Sequence, residues 1–299
     1  MSTILKQAAS AKVLNMAWKK LCNDKAPWSP GLSRDDMQKD HIYHILRLGE
    51  DLNSGKYRPH PVRFFPVNKG DGKQRIISAH TLRDKMAQRA ILIVLEPIFE
   101  KYFHHDSYAY RPGRSIQMAL SRVNEYVNCG LNWIIDADIQ NYFDNIPHKQ
   151  LLKAFKKINN DRKVLRLIYQ WLDVGTARRG FLSQSKGIPQ GAVLSPLLCN
   201  IYLTKFDNDM ARKNLPFVRF ADDFLVFTQS KNEAHTAYTY VEKCLNRLSL
   251  SLNPEKSRVT ACGPHIKFLG QQLANAYHSK NRRKHGFSYN KYARYYQSR

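Results

Sequence analysis

The stretch that most constrains the fold is residues 217–227, where two apolar, β-prone runs flank the adjacent acids Asp222 and Asp223. This pattern predicts a β-hairpin with the two acids at or near its tip. Neighbouring carboxylates at the surface of a core repel each other, and each prefers water to apolar contacts. A bound divalent cation would remove that cost, whereas a solvated turn is the ordinary alternative for an isolated Asp-Asp pair.

A second acidic stretch, residues 133–144, offers the third carboxylate that a catalytic metal site needs. Side chains alternate along a strand, so Asp136 and Asp138 share one face and the apolar residues around them share the other. If the hairpin pairs beside this strand, Asp138 meets Asp222 across it, with Asp223 assisting. Such a site could hold two Mg²⁺ ions for in-line phosphoryl displacement, and we expect Mn²⁺ to substitute for them.

Further segments then show a family resemblance. Three stretches resemble, in order, motifs A, B and C of reverse transcriptases: residues 138–146, 187–198 and 220–223. Others resemble segments of the bacterial group II intron lineage: residues 56–63, 108–115 and 268–270. The resemblance extends from about Gly55 to Gly270. It implies an α+β right-hand polymerase with fingers and a palm, the palm being an antiparallel sheet flanked by helices.

A viral RNA-dependent RNA polymerase is the nearest rival among polymerases. That family resembles this chain at the paired acids but usually has Gly-Asp-Asp there and lacks Pro-Gln-Gly in motif B. Here Ala221 precedes the acids, and residues 189–191 read Pro-Gln-Gly. These differences favour a reverse transcriptase.

The resemblance also implies roles for individual residues. Asp138, Asp222 and Asp223 would be catalytic metal ligands, with the backbone of Ile139 touching metal or phosphate. The nucleotide-binding set would be Lys69, Arg75, Phe143, Gln190 and Lys256. Phe143 matches the family's steric gate against a 2′-hydroxyl, and Lys256 is either a proton donor to pyrophosphate or an ordinary surface lysine. The template- and primer-binding set would be Arg111, Arg114, Gly191, Phe268, Leu269 and Gly270.

Periodicity predicts helices elsewhere in the chain. In the N-terminal region one inward stripe is expected at Ile42, Ile45, Leu46 and Leu52. In motif B, Ser195 followed by Pro196 is typical of a helix start with a serine cap.

Charge and cysteine content restrict the partners and the compartment. Lys and Arg number 48 against 24 Asp and Glu, a formal charge of +24, which indicates a polyanionic partner such as nucleic acid. An acidic membrane surface is the competing partner, but the sequence contains no run of about 18 apolar residues, the length needed to span a bilayer. The five scattered cysteines form no CxxC pair, which favours reduced thiols in the cytoplasm and no zinc site. The tight pair His104 and His105 is disfavoured as a metal site because adjacent residues point apart.

The motifs divide the chain into three predicted regions. Residues 1–135 would form the N-terminal extension and fingers with part of the palm, and residues 136–270 the palm. Residues 271–299 would be a short basic and aromatic tail in place of a full thumb. Basic and aromatic residues suit phosphate contacts and base stacking, although a merely solvated tail is the alternative. A non-coding RNA or a protein partner could replace the missing thumb.

The predicted activity is RNA-directed DNA synthesis on an RNA template, from a DNA or RNA primer and dNTPs. A bacterial defence or CRISPR-associated system is the preferred setting. A retron or a group II intron mobility enzyme is the alternative within the family. A non-catalytic RNA-binding scaffold with a polymerase fold is the alternative of another class.

Overall fold

A computed structural model describes residues 3–68, 74–176 and 185–273 of the chain. Within it, the chain forms two compact units, Met1–Tyr102 with Phe143–Tyr202, and Phe103–Tyr142 with Leu203–Arg299. The boundaries predicted from the motifs divide the chain by role rather than by compactness, and they stay a prediction. No described helix is both long and apolar enough to cross a membrane.

The described helices and strands alternate irregularly along the chain. The helices are α1 (Thr3–Ala8), α2 (Ala11–Leu21), α3 (Arg34–Lys39), α4 (His41–Ser54), α5 (Leu82–Phe99), α6 (Ile116–Asn128), α7 (Tyr142–Asn145), α8 (His148–Ile158), α9 (Arg162–Thr176), α10 (Ser195–Arg212) and α11 (Lys231–Asn246). The strands are β1 (Arg63–Asn68), β2 (Gln74–Ala79), β3 (Trp133–Asp138), β4 (Phe217–Phe220), β5 (Asp223–Thr228), β6 (Arg258–Ala261), β7 (Lys267–Phe268) and β8 (Gln271–Gln272).

The first unit combines helices with one hairpin. β1 and β2 pair antiparallel, with Phe65 opposite Ile77 and Val67 opposite Arg75. Two β-prone runs around the Asp-Gly turn of residues 71–72 predict this hairpin, and both of its strands are present. Its turn, including Lys69, lies outside the described residues. Helix α5 runs continuously through Pro97 and buries most of one side, including Met86, Ile91 and Leu95.

Helix α4 differs from its sequence-based prediction. Ile42 and Leu46 are 64% and 48% exposed, whereas Ile45, Leu48 and Leu52 are buried. The buried stripe follows the spacing of three and four residues that one helical face requires. Leu46 lies one position to the side of this stripe. Ile42 has the spacing of the stripe but lies in the first turn of the helix, where it is exposed, so the inward orientation predicted for these two residues was wrong.

The second unit is built on a four-stranded antiparallel sheet in the order β4-β5-β3-β6. The hairpin predicted over residues 217–227 is confirmed as β4 and β5, and it pairs beside β3 as expected. In this register Asp138 lies opposite Asp223 rather than opposite Asp222, which belongs to the turn before β5, and Asp136 lies opposite Leu225.

The two faces of this sheet have different surroundings. On the face that carries the acids, Ile134, Leu225 and Phe227 are buried in a cluster with residues of α6. On the other face, Phe224 packs edge-on against Phe206 of α10, and α11 contacts β3, β5 and β6. The acidic face is therefore apolar at one end and acidic at the other. We call the acidic end, formed by Asp136, Asp138, Asp222 and Asp223, the acid cluster.

Candidate active site

The acid cluster begins at a tight turn between β4 and β5. Ala221 has a φ of 62°, in the left-handed region that residues with a side chain rarely adopt. Its carbonyl oxygen accepts a hydrogen bond of 2.9 Å from Nη1 of Arg219. A strained turn of this kind persists only when its surroundings hold it, and Arg219 is one such support.

Arg219 is itself a buried charge with a fixed set of partners. Its Nε and Nη2 atoms donate to the carboxylate of Asp207 at 2.7 and 2.6 Å, and Nη2 also donates to the Ser107 hydroxyl at 2.7 Å. Fully buried arginines are rare unless paired. Sequence reasoning did not assign Arg219, although a lone arginine inside an apolar β-run is a signal that could have found it.

The fold brings the three predicted catalytic acids together. Asp138 and Asp223 are direct cross-strand partners, a position in which Cα atoms lie about 4.5–5.5 Å apart. The N–H of Ile139 donates to the carbonyl of Asp222 at 3.2 Å, which fixes the turn against the end of β3. All three acids therefore lie at one end of the second unit's sheet.

Asp223 is electrostatically destabilised in its charged form. Burial, followed by the charges of Asp136, Asp138 and Asp222, raises the pKa of its carboxyl to about 7, and Lys256 only partly opposes this. Within the described part of the chain, no group donates a hydrogen bond to that carboxylate. A cluster of hard oxygen atoms with unbalanced negative charge fits a divalent cation such as Mg²⁺ or Mn²⁺.

The segment after α11 supports Asp138 from the side of β6. The N–H of Asn253 donates to the carbonyl of Asp138 at 2.8 Å, and the Asn253 amide donates to its carboxylate at 3.3 Å. The exposed ammonium of Lys256 lies 3.5 Å from the same carboxylate. Lys256 is thus the predicted nucleotide-side residue that the structure places directly at the acid cluster.

Asp136 is a fourth acid in the cluster. It was expected on the acidic face but received no role. Burial raises the pKa of its carboxyl, and Arg258 opposes that shift from a distance of 3.2 Å. Its charge therefore has a partner, unlike the charge of Asp223.

The predicted primer-supporting segment divides into a buried and a turn part. Phe268 is buried in the cluster that contains Ile134 and α6 residues. Leu269 and Gly270 form the turn between β7 and β8, with φ values of 50° and 83°. Phe268 therefore anchors this hairpin to the second unit, and the turn is the part that a primer could reach.

The two predicted template arginines differ in their surroundings. Arg111 is buried, and its guanidinium donates to the carbonyls of His104 and Ser107. Arg114 is partly exposed, donates to the carbonyl of His105 at 3.1 Å and lies over the ring of Tyr108. Arg111 thus shapes the loop from within, and Arg114 is the better placed of the two for a phosphate.

The histidine pair next to this loop is close to a third acid. Ring and carboxylate atoms of His104, His105 and Asp106 lie within 4.8 Å of one another. However, the Asp106 carboxylate accepts hydrogen bonds from Nε of Arg122 at 2.8 Å and from the Tyr126 hydroxyl at 2.7 Å. The Asp106 carboxylate is therefore already partnered by a guanidinium, a hydroxyl and the His105 ring, whose Nε2 lies 3.1 Å from it.

In the first unit, the motif B segment is held by its backbone. The N–H of Ser78 on β2 donates to the carbonyl of Gln190 at 2.7 Å. A Cβ atom at Gly191 would lie 2.7 Å from the Ser78 carbonyl oxygen, and φ there is 106°. The glycine is required by this contact with β2, which is a cause different from the predicted contact with template or primer.

Neighbouring residues hold the same segment. A Cβ at Gly175 of α9 would lie 2.0 Å from the ring of Pro189, so helix and proline are in close contact. The hydroxyl of Ser195 donates to the Pro189 carbonyl at 2.6 Å. Ser195 thus ties the loop to α10, where a helix cap was predicted.

Two other predicted nucleotide-side residues also lie in the first unit. Phe143 is partly buried, and its carbonyl accepts the N–H of Ile188 at 2.6 Å. Arg75 is exposed on β2. Lys69 lies outside the described residues.

An antiparallel sheet with clustered acids on a hairpin turn and on the neighbouring strand defines the palm of a polymerase. A family model described as reverse transcriptase (RNA-dependent DNA polymerase) matches residues 67–273. The chain therefore belongs to the reverse transcriptase family. The predicted fold class and RNA-directed DNA polymerase activity are confirmed at the level of the family, whose members generally depend on a divalent metal.

The chain is also similar to individual proteins. It is 30% identical over 289 residues to protein YkfC of Escherichia coli (strain K12), across 83% of this chain and 75% of YkfC. It is 30% identical over 246 residues to the group II intron-encoded protein LtrA of Lactococcus lactis subsp. cremoris, across 82% of this chain but only 40% of LtrA. A structure of telomerase from Candida albicans matches with a TM-score of 0.53 at 14% identity, across 82% of this chain and 49% of that one, which supports the fold alone.

Proposed function

We propose that this chain extends a primer on an RNA template by transferring nucleotides from dNTPs at the acid cluster. The observation that carries the proposal is the register of β3 and β5, which sets Asp138 opposite Asp223 beside the turn that holds Asp222. Carboxylates with unbalanced charge at the end of a rigid sheet suit a reaction in which positioning and charge stabilisation do most of the work.

Asp138, Asp222 and Asp223, with the backbone carbonyl of Ile139, would hold two Mg²⁺ ions, for which Mn²⁺ could substitute. When bound, such ions supply Lewis-acid activation of the primer 3′-hydroxyl and stabilise the departing pyrophosphate. Asp223 must give up its proton to act as a ligand, because its pKa of about 7 leaves it partly protonated near neutrality. Lys256, whose ammonium lies 3.5 Å from the Asp138 carboxylate, would donate a proton to the leaving group.

The remaining assignments concern the substrates. Lys69 and Arg75 would neutralise the triphosphate, Gln190 would contact the nucleotide, and Phe143 would exclude a 2′-hydroxyl. The charge of +24 favours duplex binding through phosphates. The contacting residues would be Arg114, Gly191, Leu269 and Gly270, with Arg111 and Phe268 supporting them from within.

Primer extension on poly(rA) with oligo(dT), dTTP and Mg²⁺ tests the chemistry directly. Asp222→Ala should abolish extension while the circular dichroism spectrum and melting temperature stay near those of wild type. Asp35→Ala is the matched control, because that side chain is 89% exposed on α3. Extension by Asp222→Ala at the wild-type rate would contradict the assignment, and a wild-type protein that binds but never extends would indicate the scaffold alternative.

The steric gate has its own test. Phe143→Ala should raise incorporation of rTTP relative to dTTP by roughly tenfold or more, since a rigid ring under the sugar is lost. The ratio of kcat/KM for the two nucleotides measures the effect. Unchanged discrimination would remove Phe143 from this role.

The biological setting is a separate proposal. A bacterial defence or CRISPR-associated role in the cytoplasm, with an RNA or protein partner, is our first candidate. Intron mobility is the second, and the 30% identity to LtrA favours it specifically. Sequencing of the nucleic acid that copurifies with the protein separates the two, because an intron enzyme should be enriched for one structured intron RNA.

A further inference from the structure

Strand β6 brings an arginine to the acid cluster. Arg258 is the cross-strand partner of Asp136, two residues before Asp138 on β3. Its side chain therefore lies on the same sheet face as the predicted catalytic acids. Its position along the sheet is two residues from Asp138, about 6.6 Å along the strand, which we call one register step. Nη2 of Arg258 lies 3.2 Å from the Asp136 carboxylate.

This contact occupies only part of the guanidinium. Nη2 also lies 3.5 Å from the carbonyl of His265, but Nε and Nη1 have no hydrogen-bond partner in the part of the chain that the structure describes. The Arg258 side chain is 54% exposed, whereas that of Asp136 is 16% exposed. The acid is thus held at the sheet, and the arginine presents its remaining donors outward.

Stability alone does not explain such a pair. An ion pair with one exposed partner contributes little, typically up to about 1 kcal/mol. The surrounding charges indicate a role for the arginine in binding nucleic acid. The phosphates of a strand that approaches four carboxylates are repelled, and a nearby cation reduces that repulsion. Arg258 neutralises Asp136, the acid of the cluster with no assigned metal role, and its free donors match the fork geometry of a phosphate.

We infer that Arg258 binds a backbone phosphate of the growing strand just behind its 3′ end, with Asp136 as its positioning residue. The inference rests on the proposed function, which puts the 3′ end at Asp138, Asp222 and Asp223. One register step from Asp138 is comparable with the backbone length of one nucleotide. Arg258 also contacts His265, just before the β7–β8 hairpin predicted to support the primer.

The experiment measures binding of a primer–template duplex without dNTP, by fluorescence anisotropy over a range of salt concentrations. Arg258→Gln should weaken binding and lower the slope of log Kd against log salt by about one, as expected for one lost phosphate contact. Arg247→Gln is the matched control, since it removes the same charge from an exposed arginine after α11. Equal behaviour of the two variants would overturn the inference.

A neutral-phosphate scan locates the contact. Primers carry a single methylphosphonate at one of the last four linkages before the 3′ end. With wild type, one position should weaken binding several-fold, and with Arg258→Gln that position should have no further effect. The same profile for both proteins would overturn the inference.

Asp136 is tested through kinetics. Asp136→Asn should raise KM for the primer–template and leave KM for dTTP unchanged, and it should add nothing to Arg258→Gln. A lower kcat with both KM values unchanged would instead assign Asp136 to the chemistry and contradict a positioning role. If wild type binds duplex but extends no primer, the proposed function fails; if it extends but Arg258→Gln matches Arg247→Gln, only this inference fails.

Discussion

Two buried carboxylates, Asp84 in the first unit and Asp223 in the second, have opposite electrostatics. Both lose hydration on folding, which by itself raises the pKa of a carboxyl. Yet the pKa of Asp84 is lowered, whereas that of Asp223 is raised to about 7. Since burial acts in the same direction on both, the difference comes from their neighbours.

Asp84 is surrounded by donors. Its two oxygens accept hydrogen bonds from the Tyr57 hydroxyl at 2.6 Å, the Thr81 hydroxyl at 2.8 Å and the His60 N–H at 2.9 Å. Tyr57 in turn accepts a hydrogen bond from Nε1 of Trp171 at 2.9 Å. The His60 ring, whose Nδ1 lies 3.3 Å from Oδ2 of Asp84, and these hydrogen bonds together outweigh burial and lower the pKa of the carboxyl.

Asp223 is surrounded by other acids. Asp84 shows that the protein can surround a buried carboxylate with hydrogen-bond donors. A buried carboxylate such as Asp223, which has no such donors in the part of the chain that the structure describes, is typical of a site that binds a ligand or performs chemistry. Three substitutions would break or sharpen the comparison.

The largest change in stability is expected for Asp84→Asn. The amide would turn donors toward Tyr57, Thr81 or the His60 N–H, so we expect a loss of about 3 kcal/mol at pH 7.5 in urea unfolding. Because the folded pKa of Asp84 is lowered, its contribution is present above the unfolded pKa and lost as pH falls below about 4. Below about pH 4 the difference in the free energy of unfolding between Asp84→Asn and wild type should therefore become smaller. The control Asp35→Asn should differ from wild type by less than about 0.5 kcal/mol.

Asp223→Asn should change stability in the opposite direction, stabilising the folded protein at high pH. The folded pKa of about 7 exceeds the unfolded value near 3.8, so wild type loses stability as pH rises between the two. In EDTA at pH 8 the variant should be more stable by about 2 kcal/mol, and the gain should vanish below about pH 4. Primer extension should meanwhile fall by about a thousandfold. A destabilised variant at pH 8 would show that Asp223 has structural partners.

Tyr57→Phe should have the smallest effect. It removes one donor from Asp84 and the acceptor of Trp171, but leaves the Thr81 and His60 bonds. We expect a loss of about 1.5 kcal/mol, measured as the urea midpoint at constant slope. Tyr169→Phe, on the exposed side of α9, is the matched control. Equal midpoints for both variants would mean that the Tyr57 hydroxyl contributes nothing to the Asp84 network.

Local patterns in the sequence were sufficient to predict the hairpin of β4 and β5 and the shared face of the acids on β3. Alternation determines which side chains share a face, and the adjacent acids mark the turn. The convergence of Asp138 with Asp222 and Asp223 followed from these patterns once strand pairing was assumed.

Other parts of the site depend on contacts that no local pattern encodes. Arg219 finds Asp207 on α10 and Ser107 near α6, and Arg258 meets Asp136 from 122 residues away. The contact between Gly191 and Ser78 is similar, since the motif B loop must pack on strand β2 before a glycine becomes necessary. The apolar spacing in α4 did not determine which of its residues are buried, for a related reason. The sequence of one helix does not show how far the neighbouring helices extend along it.

The pairing of β3 with β5 has a consequence for misfolding. Side chains alternate, so a slip of one residue would move Leu225 and Phe227 off the face packed on α6 and bring Phe224 and Val226 there instead. The same slip would move Asp223 away from Asp138. The register that buries the apolar side chains is therefore the same register that aligns the acids. A chain that folds with a shifted register loses the apolar packing and the acid cluster together.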